Sequence, residues 1–312
     1  MTPKHILVGL DGSPLAETVL PFVAELAHRA GSRVTLLNVT HVPEDIVPGG
    51  GPGVAEVIER NQGRARDYLR EQESRFRQAG IKVASEVVVG DTARAILEYG
   101  QKAKADLIAL ATHGRSGMQR WQHGSVADEL LHTTTLPLLL IRPGNGWDAV
   151  PHDVRRIVVP LDGSSLAEAA LPIAETLAGR LEVPLVLLRV IEPVGLDFLV
   201  DPTGTVYLNY QGILDSLRTA AEEYLAGVRS RLLGKQLEVE RNVSIGMPAR
   251  TIETYLHQHP GSMLVLATHG RSGLKRILLG SVARQLVQHA GVPTLLYHAT
   301  ERDRDEKSEA RS

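Results

Sequence analysis

The chain contains two copies of one sequence pattern, and this repeat limits the fold more than any other feature. Residues 6–27 match residues 157–178 at thirteen of 22 positions, an offset of 151. Residues 110–130 match residues 266–286 at fourteen of 21 positions, an offset of 156. A period this long exceeds the roughly 20–50 residues of solenoid and propeller repeats. The repeat therefore indicates a duplicated whole domain, in which the second copy carries a net insertion of five residues (156 − 151).

The length of the chain agrees with a duplication, because 312 residues suit two domains of about 150 residues each. Turn-forming residues replace the periodic pattern between residues 143 and 153. We therefore predict one domain over residues 1–146 (copy 1) and a second over residues 151–300 (copy 2). Residues 301–312 are nearly all charged or small, which predicts a disordered charged tail.

Within each copy, strand patterns alternate with helix patterns. The strand-like runs are mostly continuous apolar stretches, which is typical of parallel strands buried on both faces. The pattern predicts a doubly wound α/β domain with a five-stranded parallel sheet, whose ligand lies beyond the carboxyl ends of the strands. In copy 1 the predicted strands are 5–10, 33–39, 82–89, 106–111 and 138–141, and the predicted helices are 14–29, 54–78, 92–102 and 125–132.

Composition narrows the class of function. The net charge of −2 disfavours a nucleic-acid partner, because a polyanion-binding surface needs an excess of positive charge. There is no cysteine, which excludes disulfides, thiolate catalysis and cysteine–zinc sites. No apolar run approaches the roughly 20 residues of a membrane span, and the first residues lack the features of a signal peptide. We therefore expect a cytoplasmic protein that does not bind a membrane.

The strongest functional signal is a glycine-rich segment that follows the fourth predicted strand of each copy. Both copies read Thr-His-Gly-Arg-Ser-Gly, at residues 112–117 and 268–273, and then Gly-Ser-Val, at residues 124–126 and 280–282. Glycines let a phosphate approach the backbone, and the start of the following helix offers free N–H groups. Arginine adds positive charge for the outer phosphates of a ligand. The alternative is that the glycines only turn the chain and the serines only cap the helix.

A second signal lies at the end of the first predicted strand, where Asp11 and Asp162 are each followed by Gly-Ser. A carboxylate there lies beside the expected crevice and can accept from an adenine amino group or a ribose hydroxyl. Capping of the next helix is an equally weighted alternative. Val39 and Val190 end the second strands, where their backbone can meet an adenine edge while their side chains are ordinary core.

Together these segments resemble the universal stress protein family, whose nucleotide-binding pattern is Gly-x2-Gly-x9-Gly-Ser/Thr. The resemblance covers both copies nearly end to end. It implies a Rossmann-like (adenine nucleotide alpha hydrolase-like) fold that binds ATP or a related adenine nucleotide, with or without Mg²⁺. The positions it assigns to nucleotide binding are Asp11, Val39, Ala111, Gly114, Gly124, Ser125 and Val126 in copy 1, and Asp162, Val190, Ala267, Gly270, Gly280, Ser281 and Val282 in copy 2. We add Arg115 and Arg271, because their positive charge suits the outer phosphates.

One position departs from the family pattern in both copies. Its first glycine is replaced by Ala111 in copy 1 and by Ala267 in copy 2. Alanine is tolerated there if the backbone angle φ is negative and is strained if φ is positive. The fit of a nucleotide to this chain therefore depends on φ at these two residues.

The resemblance also implies a topology and a role. The strand order is expected to be 3-2-1-4-5, with the fifth strands of the two copies paired across an internal pseudo-two-fold axis. Further dimerisation of the chain stays open. The implied role is a response to stress in which the nucleotide changes conformation or the choice of an unidentified protein partner, without catalysis. Two alternatives are a slow ATPase or phosphotransfer enzyme, and a partner-binding module that holds no nucleotide.

Overall fold

A computed structural model gives the fold of most of the chain. Among the residues that it describes, no helix is both long and apolar enough to cross a membrane. For residues 52–55, 210 and 269 it describes the backbone only. The described residues are 3–40, 52–112, 126–142, 153–193, 210–232, 237–269 and 280–299.

Copy 1 alternates strands and helices as the sequence predicts. The middle of its central strand is buried, since Ile6, Leu7 and Val8 have no exposed surface. The elements are β1 (His5–Gly9), α1 (Pro14–Glu17), α2 (Leu20–Ala30), β2 (Arg33–Thr40), α3 (Pro52–Gln78), β3 (Val83–Val89), α4 (Thr92–Ala103), β4 (Leu107–Ala111), α5 (Val126–Thr133) and β5 (Leu138–Ile141).

Copy 2 repeats the same order of elements, so the duplication seen in the sequence is also a duplication of structure. The elements are β6 (Arg156–Pro160), α6 (Ser165–Glu168), α7 (Leu171–Leu181), β7 (Leu185–Ile191), α8 (Tyr210–Leu232), β8 (Val239–Ile245), α9 (Pro248–Gln258), β9 (Ser262–His269), α10 (Ser281–His289) and β10 (Thr294–Ala299).

The prediction of one continuous helix over residues 14–29 is wrong. The chain forms two helices instead, α1 and α2, which are separated at Thr18 and Val19. Pro21 is the cause, because proline has no N–H to donate to the carbonyl of Glu17 and its ring clashes with that turn. At the second position of α2 the same proline is tolerated, since that N–H has no partner within the helix. Pro172 has the same effect in copy 2.

The strands of both copies form one ten-stranded sheet in the order β3-β2-β1-β4-β5-β10-β9-β6-β7-β8. Each half follows the expected order 3-2-1-4-5, and neighbouring strands within each half are parallel. The halves meet where residues 138–140 of β5 pair antiparallel with residues 294–296 of β10. The expected pairing of the two fifth strands is therefore confirmed.

Helices cover both faces of the sheet, as a doubly wound fold requires. On one face α2, α3, α7 and α8 pack on the core through residues such as Leu26 and Leu177. On the other face α4, α5, α9 and α10 pack through residues such as Ile96 and Leu286. The two copies also touch away from the sheet, where Arg29 of α2 donates to the carbonyl oxygen of Val154 at 3.2 Å.

The predicted domain limits stay a prediction. The proposed junction, residues 147–150, and the predicted disordered tail, residues 301–312, lie outside the described residues.

Candidate functional site

The topology places one crevice at the carboxyl edge of each half of the sheet. The chain leaves β1 toward β2 and β3 on one side and then returns to β4 on the other side. The loops after β1 and β4 therefore diverge, and ligands of open α/β sheets bind at such a point. The same arrangement recurs in copy 2, where β6 lies between β7 and β9. In the sequence, the predicted aspartates and glycine-rich segments come directly after the first and fourth strands of each copy.

The aspartates after β1 and β6 have the same geometry in both copies. Asp11 is exposed, and its Oδ1 accepts from the N–H of Ser13 at 2.8 Å. Asp162 is also exposed, and its Oδ1 accepts from the N–H of Ser164 at 2.8 Å. The glycine between each pair has a positive φ, +83° at Gly12 and +91° at Gly163, which a residue with a Cβ adopts only with strain. The turn holds each carboxylate at the carboxyl edge of the sheet.

The aspartates are not the helix caps. The hydroxyl of Ser13 accepts from the N–H of Ala16 at 3.1 Å, and the hydroxyl of Ser164 accepts from Ala167 at the same distance. Serine therefore caps the short helix in each copy, and the capping alternative for Asp11 is wrong. Each carboxylate uses one oxygen in the turn.

The alanines that replace the first glycine of the family pattern lie on strands with ordinary backbone angles. Ala111 ends β4 opposite Ile141, and Ala267 lies in β9 opposite Tyr297. Among the described residues, the only ones other than glycine with a positive φ are Lys104 and Glu182. Both alanines thus have a negative φ, so the condition for tolerating alanine is met.

The predicted valines lie on the same face of the sheet. Val39, Val126, Val190 and Val282 are half-buried and pack against the apolar core beneath α4, α5, α9 and α10. In each copy, the end of the second strand and the first turn of the last helix therefore border one apolar surface. Such a surface can contact the flat face of a base.

The beginning of α10 has backbone N–H groups that no described residue pairs. Gly280 is its N-cap residue, with φ −59° and ψ 159°, and no side chain of the described residues caps this end. The N–H of Arg284 is the first to bond within the helix, to the carbonyl of Gly280 at 2.9 Å. Ser281 is exposed and is the first residue of the helix, so the alternative that this serine caps the helix is wrong.

The described residues leave the side-chain position of Gly280 unfilled. No heavy atom of the described residues lies within 4 Å of the position that a Cβ would take, and its φ is one that other residues adopt. Neither the described packing nor the backbone angle therefore demands glycine here. A bound anion needs space in front of a helix start, and no described residue fills it here.

Six of the predicted positions lie outside the described residues: Gly114, Arg115, Gly124, Ser125, Gly270 and Arg271. In copy 1 the described part of the phosphate segment begins at Val126, in the first turn of α5. The roles assigned to these six residues stay predictions.

A buried carboxylate joins the turn of Asp162 to the long helix α8. Glu168 ends α6 with 3% of its side chain exposed, and it accepts from the hydroxyl of Tyr224 at 2.8 Å. It also pairs with Arg231 at 2.7 Å. In copy 1, the equivalent Glu17 accepts from Gln72 at 3.4 Å. Burial and the neighbouring Glu17 raise the pKa of Tyr68, the counterpart of Tyr224.

Two arginines of copy 2 were missed in the sequence. The guanidinium of Arg189 lies 4.7 Å from the ring centre of Tyr224, and Arg284 is exposed in the first turn of α10. Asn38 and Asp128 occupy the equivalent positions of copy 1, at offsets of 151 and 156. Both arginines can be identified from the sequence by aligning the two copies and comparing the charge at each position.

Comparison with known proteins agrees with the fold and the repeated segments. The model of the universal stress protein family matches residues 2–142 and 153–298. A universal stress protein of Mycolicibacterium smegmatis is 27% identical over 301 residues, which cover 95% of this chain and 97% of that protein. A universal stress protein of Mycobacterium tuberculosis is 26% identical over 305 residues, covering 93% and 96%.

A solved structure shows the same fold over the whole chain. The crystal structure of a universal stress protein from Archaeoglobus fulgidus superposes with a TM-score of 0.70 at 19% identity, covering 96% of this chain and 99% of that one. Since the family model matches both copies over nearly the whole sequence, this chain belongs to the universal stress protein family.

Proposed function

We propose that each copy binds an adenine nucleotide, ATP in particular, at the carboxyl edge of its half of the sheet. The phosphates bind at the start of the last helix, and the adenosine lies toward the aspartate turn and the half-buried valines. The observation that carries this proposal is the beginning of α10, where no side chain of the described residues caps the helix and none of their atoms lies within 4 Å of a Cβ built on Gly280. The positive end of the helix dipole and its free N–H groups favour an anion at this place.

The described residues of copy 2 fit such a ligand. Backbone N–H groups of Ser281 and Val282 precede the first hydrogen bond within the helix, so no described residue of the helix competes with phosphate oxygens for them. The exposed carboxylate of Asp162 can accept from a ribose hydroxyl or the adenine amino group. Ala267 keeps an ordinary backbone angle, so the change from glycine adds one methyl group without strain.

Copy 1 offers the same adenosine side through Asp11 and Val39. Its phosphate side depends on Gly114, Arg115, Gly124 and Ser125, whose part in binding is inferred from the repeated sequence. Gly270 and Arg271 are assigned to copy 2 on the same ground. Mg²⁺, if present, would accompany the phosphates as part of the ligand.

We further propose that the nucleotide acts as a regulatory ligand rather than as a substrate. Each site aspartate already accepts a hydrogen bond from its own turn, which suits a fixed recognition group better than a base that exchanges protons. A ligand that binds only the folded chain stabilises it by about 2.7 kcal/mol at 100 times its Kd. Nucleotide level can therefore set the stability of the carboxyl edge and the surface offered to a protein partner in the cytoplasm.

The direct test is to denature the purified protein and to assay the supernatant for adenine nucleotide, followed by calorimetric titration of the refolded chain with ATP. We expect ATP to bind, and turnover to stay at the level of a blank with and without magnesium. Turnover that requires the protein would favour the slow ATPase or phosphotransfer alternative. A refolded chain that binds no ATP would favour the module that acts without nucleotide and would overturn the proposal.

A further inference from the structure

We propose that the two nucleotide sites are unequal, and that copy 2 holds nucleoside polyphosphates more tightly than copy 1 does. This inference rests on the proposed function. It does not depend on the helix start alone, which both copies share in sequence, but on charged side chains that differ between the copies. Copy 2 has arginines at two positions around its site where copy 1 has a neutral residue and a carboxylate.

The first difference lies beneath the aspartate turn. A Cβ placed on Gly163 would lie 3.0 Å from Nη1 of Arg189, so the guanidinium packs against the turn that carries Asp162. In copy 1 the same strand position holds Asn38, which is buried and donates to the carbonyl of Leu10 at 2.8 Å. A positive charge therefore lies at the turn of copy 2 and a neutral amide at the turn of copy 1.

The guanidinium of Arg189 is held in place. It lies over the ring of Tyr224 at 4.7 Å, a distance at which a cation is attracted to an aromatic face. The hydroxyl of Tyr224 in turn donates to the buried Glu168 at 2.8 Å. A fixed cation loses less freedom when a ligand binds than a mobile one does. Arg189 is therefore a positioning residue for the turn as well as a source of positive charge.

The second difference lies in the first turn of the last helix. In α5 this turn carries Asp128 and Glu129, whereas the equivalent positions of α10 hold Arg284 and Gln285. Side chains of a helix lean toward its beginning, so these groups lie on the side of the phosphates. Carboxylates in a first turn already interact with the helix dipole and repel an incoming phosphate. The arginine attracts one.

The two differences act in the same direction. Copy 2 gains two positive charges, from Arg189 and Arg284, while the matching positions of copy 1, together with Glu129, carry two negative ones. Glu192, exposed directly after β7, opposes the arginines with a single negative charge. Because the effect is electrostatic, it should grow with the number of phosphates, vanish for adenosine and weaken with salt.

The experiment uses two full-length proteins that each keep one site. Gly124→Val is designed to block phosphate binding in copy 1, and Gly280→Val is designed to block it in copy 2. Each protein is titrated with ATP, AMP and adenosine by calorimetry at low and high salt. We expect the Gly124→Val protein to bind ATP about tenfold more tightly than the Gly280→Val protein, with a smaller ratio for AMP and none for adenosine.

Exchange of the charges between the copies provides matched controls. Arg284→Asp with Gln285→Glu should weaken ATP binding in the protein that keeps copy 2, and Arg189→Asn should weaken it further. Asp128→Arg with Glu129→Gln should strengthen ATP binding in the protein that keeps copy 1. Thermal melts check that each variant folds, and the exposed positions at residues 284 and 285 keep the test informative if Arg189→Asn does not fold.

Equal affinity of the two single-site proteins for ATP would overturn the inference. So would charge exchanges that change the binding of adenosine and ATP equally, because a purely structural role predicts that result. A wild-type chain that binds no ATP would overturn the proposed function itself. The wild-type titration therefore separates failure of the function from failure of the asymmetry.

Discussion

Arg142, at the end of copy 1, donates a hydrogen bond to the backbone carbonyl of Gln288 in the last turn of α10. The same Nη1 lies 3.4 Å from the carbonyl of Val287. A cation at a helix carboxyl terminus satisfies free carbonyls and the negative end of the dipole. The helix whose beginning forms the proposed phosphate site of copy 2 is thus held at its other end by copy 1.

Replacing Arg142 with glutamine should loosen that end of α10. We expect the free energy of unfolding to fall by about 1 kcal/mol, the typical size of a charge at a helix end. Hydrogen exchange should rise at the amides of α10 more than at those of α5. Equal exchange rates in α10 of the variant and the wild type would contradict this role for Arg142.

The position equivalent to Arg142 in copy 2 is His298, and it behaves differently. Its Nδ1 lies 2.8 Å from the hydroxyl of the buried Thr268, and its Nε2 has no hydrogen-bond partner among the described residues. Burial lowers the pKa of His298 to about 4. The unfolded chain binds a proton here near pH 6.5, whereas the folded chain binds it only near pH 4.

The pH dependence of stability follows from that difference. Above pH 6.5 His298 is neutral in both the folded and the unfolded chain, so it does not lower the free energy of unfolding. That free energy should fall as the pH drops toward 4, by up to roughly 3 kcal/mol. Chemical denaturation at several pH values should show a shallower fall in a His298→Asn variant than in the wild type. As a control, His28→Asn replaces an exposed histidine, and we expect it to keep the wild-type dependence of the free energy of unfolding on pH. Parallel curves for wild type and His298→Asn would contradict the account.

The ion pair of Arg231 with the buried Glu168 should stabilise the fold more than the exposed pair of Arg75 with Glu71 in copy 1. Arg231→Ala leaves a carboxylate that is 3% exposed without its cation, and we expect a loss of about 2 kcal/mol because the arginine itself is half exposed. The matched control is Arg75→Ala, because Arg75 pairs with the exposed Glu71. This variant should lose less than about 1 kcal/mol of its free energy of unfolding. Urea unfolding of both variants measures the difference. Equal losses would show that burial of Glu168 does not decide the energy.

The alanine of the family pattern provides a separate test of the site. Ala267→Gly restores the family residue but places glycine inside β9, where it costs about 0.5–1 kcal/mol of stability. Because Ala267 already has a negative φ, we expect ATP affinity to change by less than about twofold. A large gain in affinity, measured by calorimetry, would show that the methyl group obstructs the ligand.

Much of the fold could be predicted because it depends on patterns local to the sequence. Unbroken apolar runs such as Leu138–Ile141 identify buried parallel strands, and the repeat predicts that copy 2 follows copy 1. The break between α1 and α2 was missed although its cause, Pro21, is visible in the sequence. The aspartates were placed correctly at the strand ends, yet only the coordinates separate the cap, Ser13, from the turn acceptor, Asp11.

The contacts that make the two sites different could not be predicted in the same way. Arg189 reaches Gly163 and Tyr224 only because β7, the turn after β6 and α8 meet in the folded chain. Arg142 reaches Gln288 only because the fifth strands pair across the two copies. Such contacts depend on tertiary packing between distant segments, about which a local pattern carries no information.

The measurement that tests the central claim most directly is calorimetric titration with ATP of the wild-type chain and of a variant with both Gly124→Val and Gly280→Val. The account predicts two ATP molecules per wild-type chain at saturation, and none in a double variant that melts cooperatively like the wild type. The Cβ of a valine at position 280 would contact no described atom, and φ of −59° is one that valine adopts. We therefore expect Gly280→Val to leave the fold intact. Undiminished ATP binding by the folded double variant would contradict the assignment of the site.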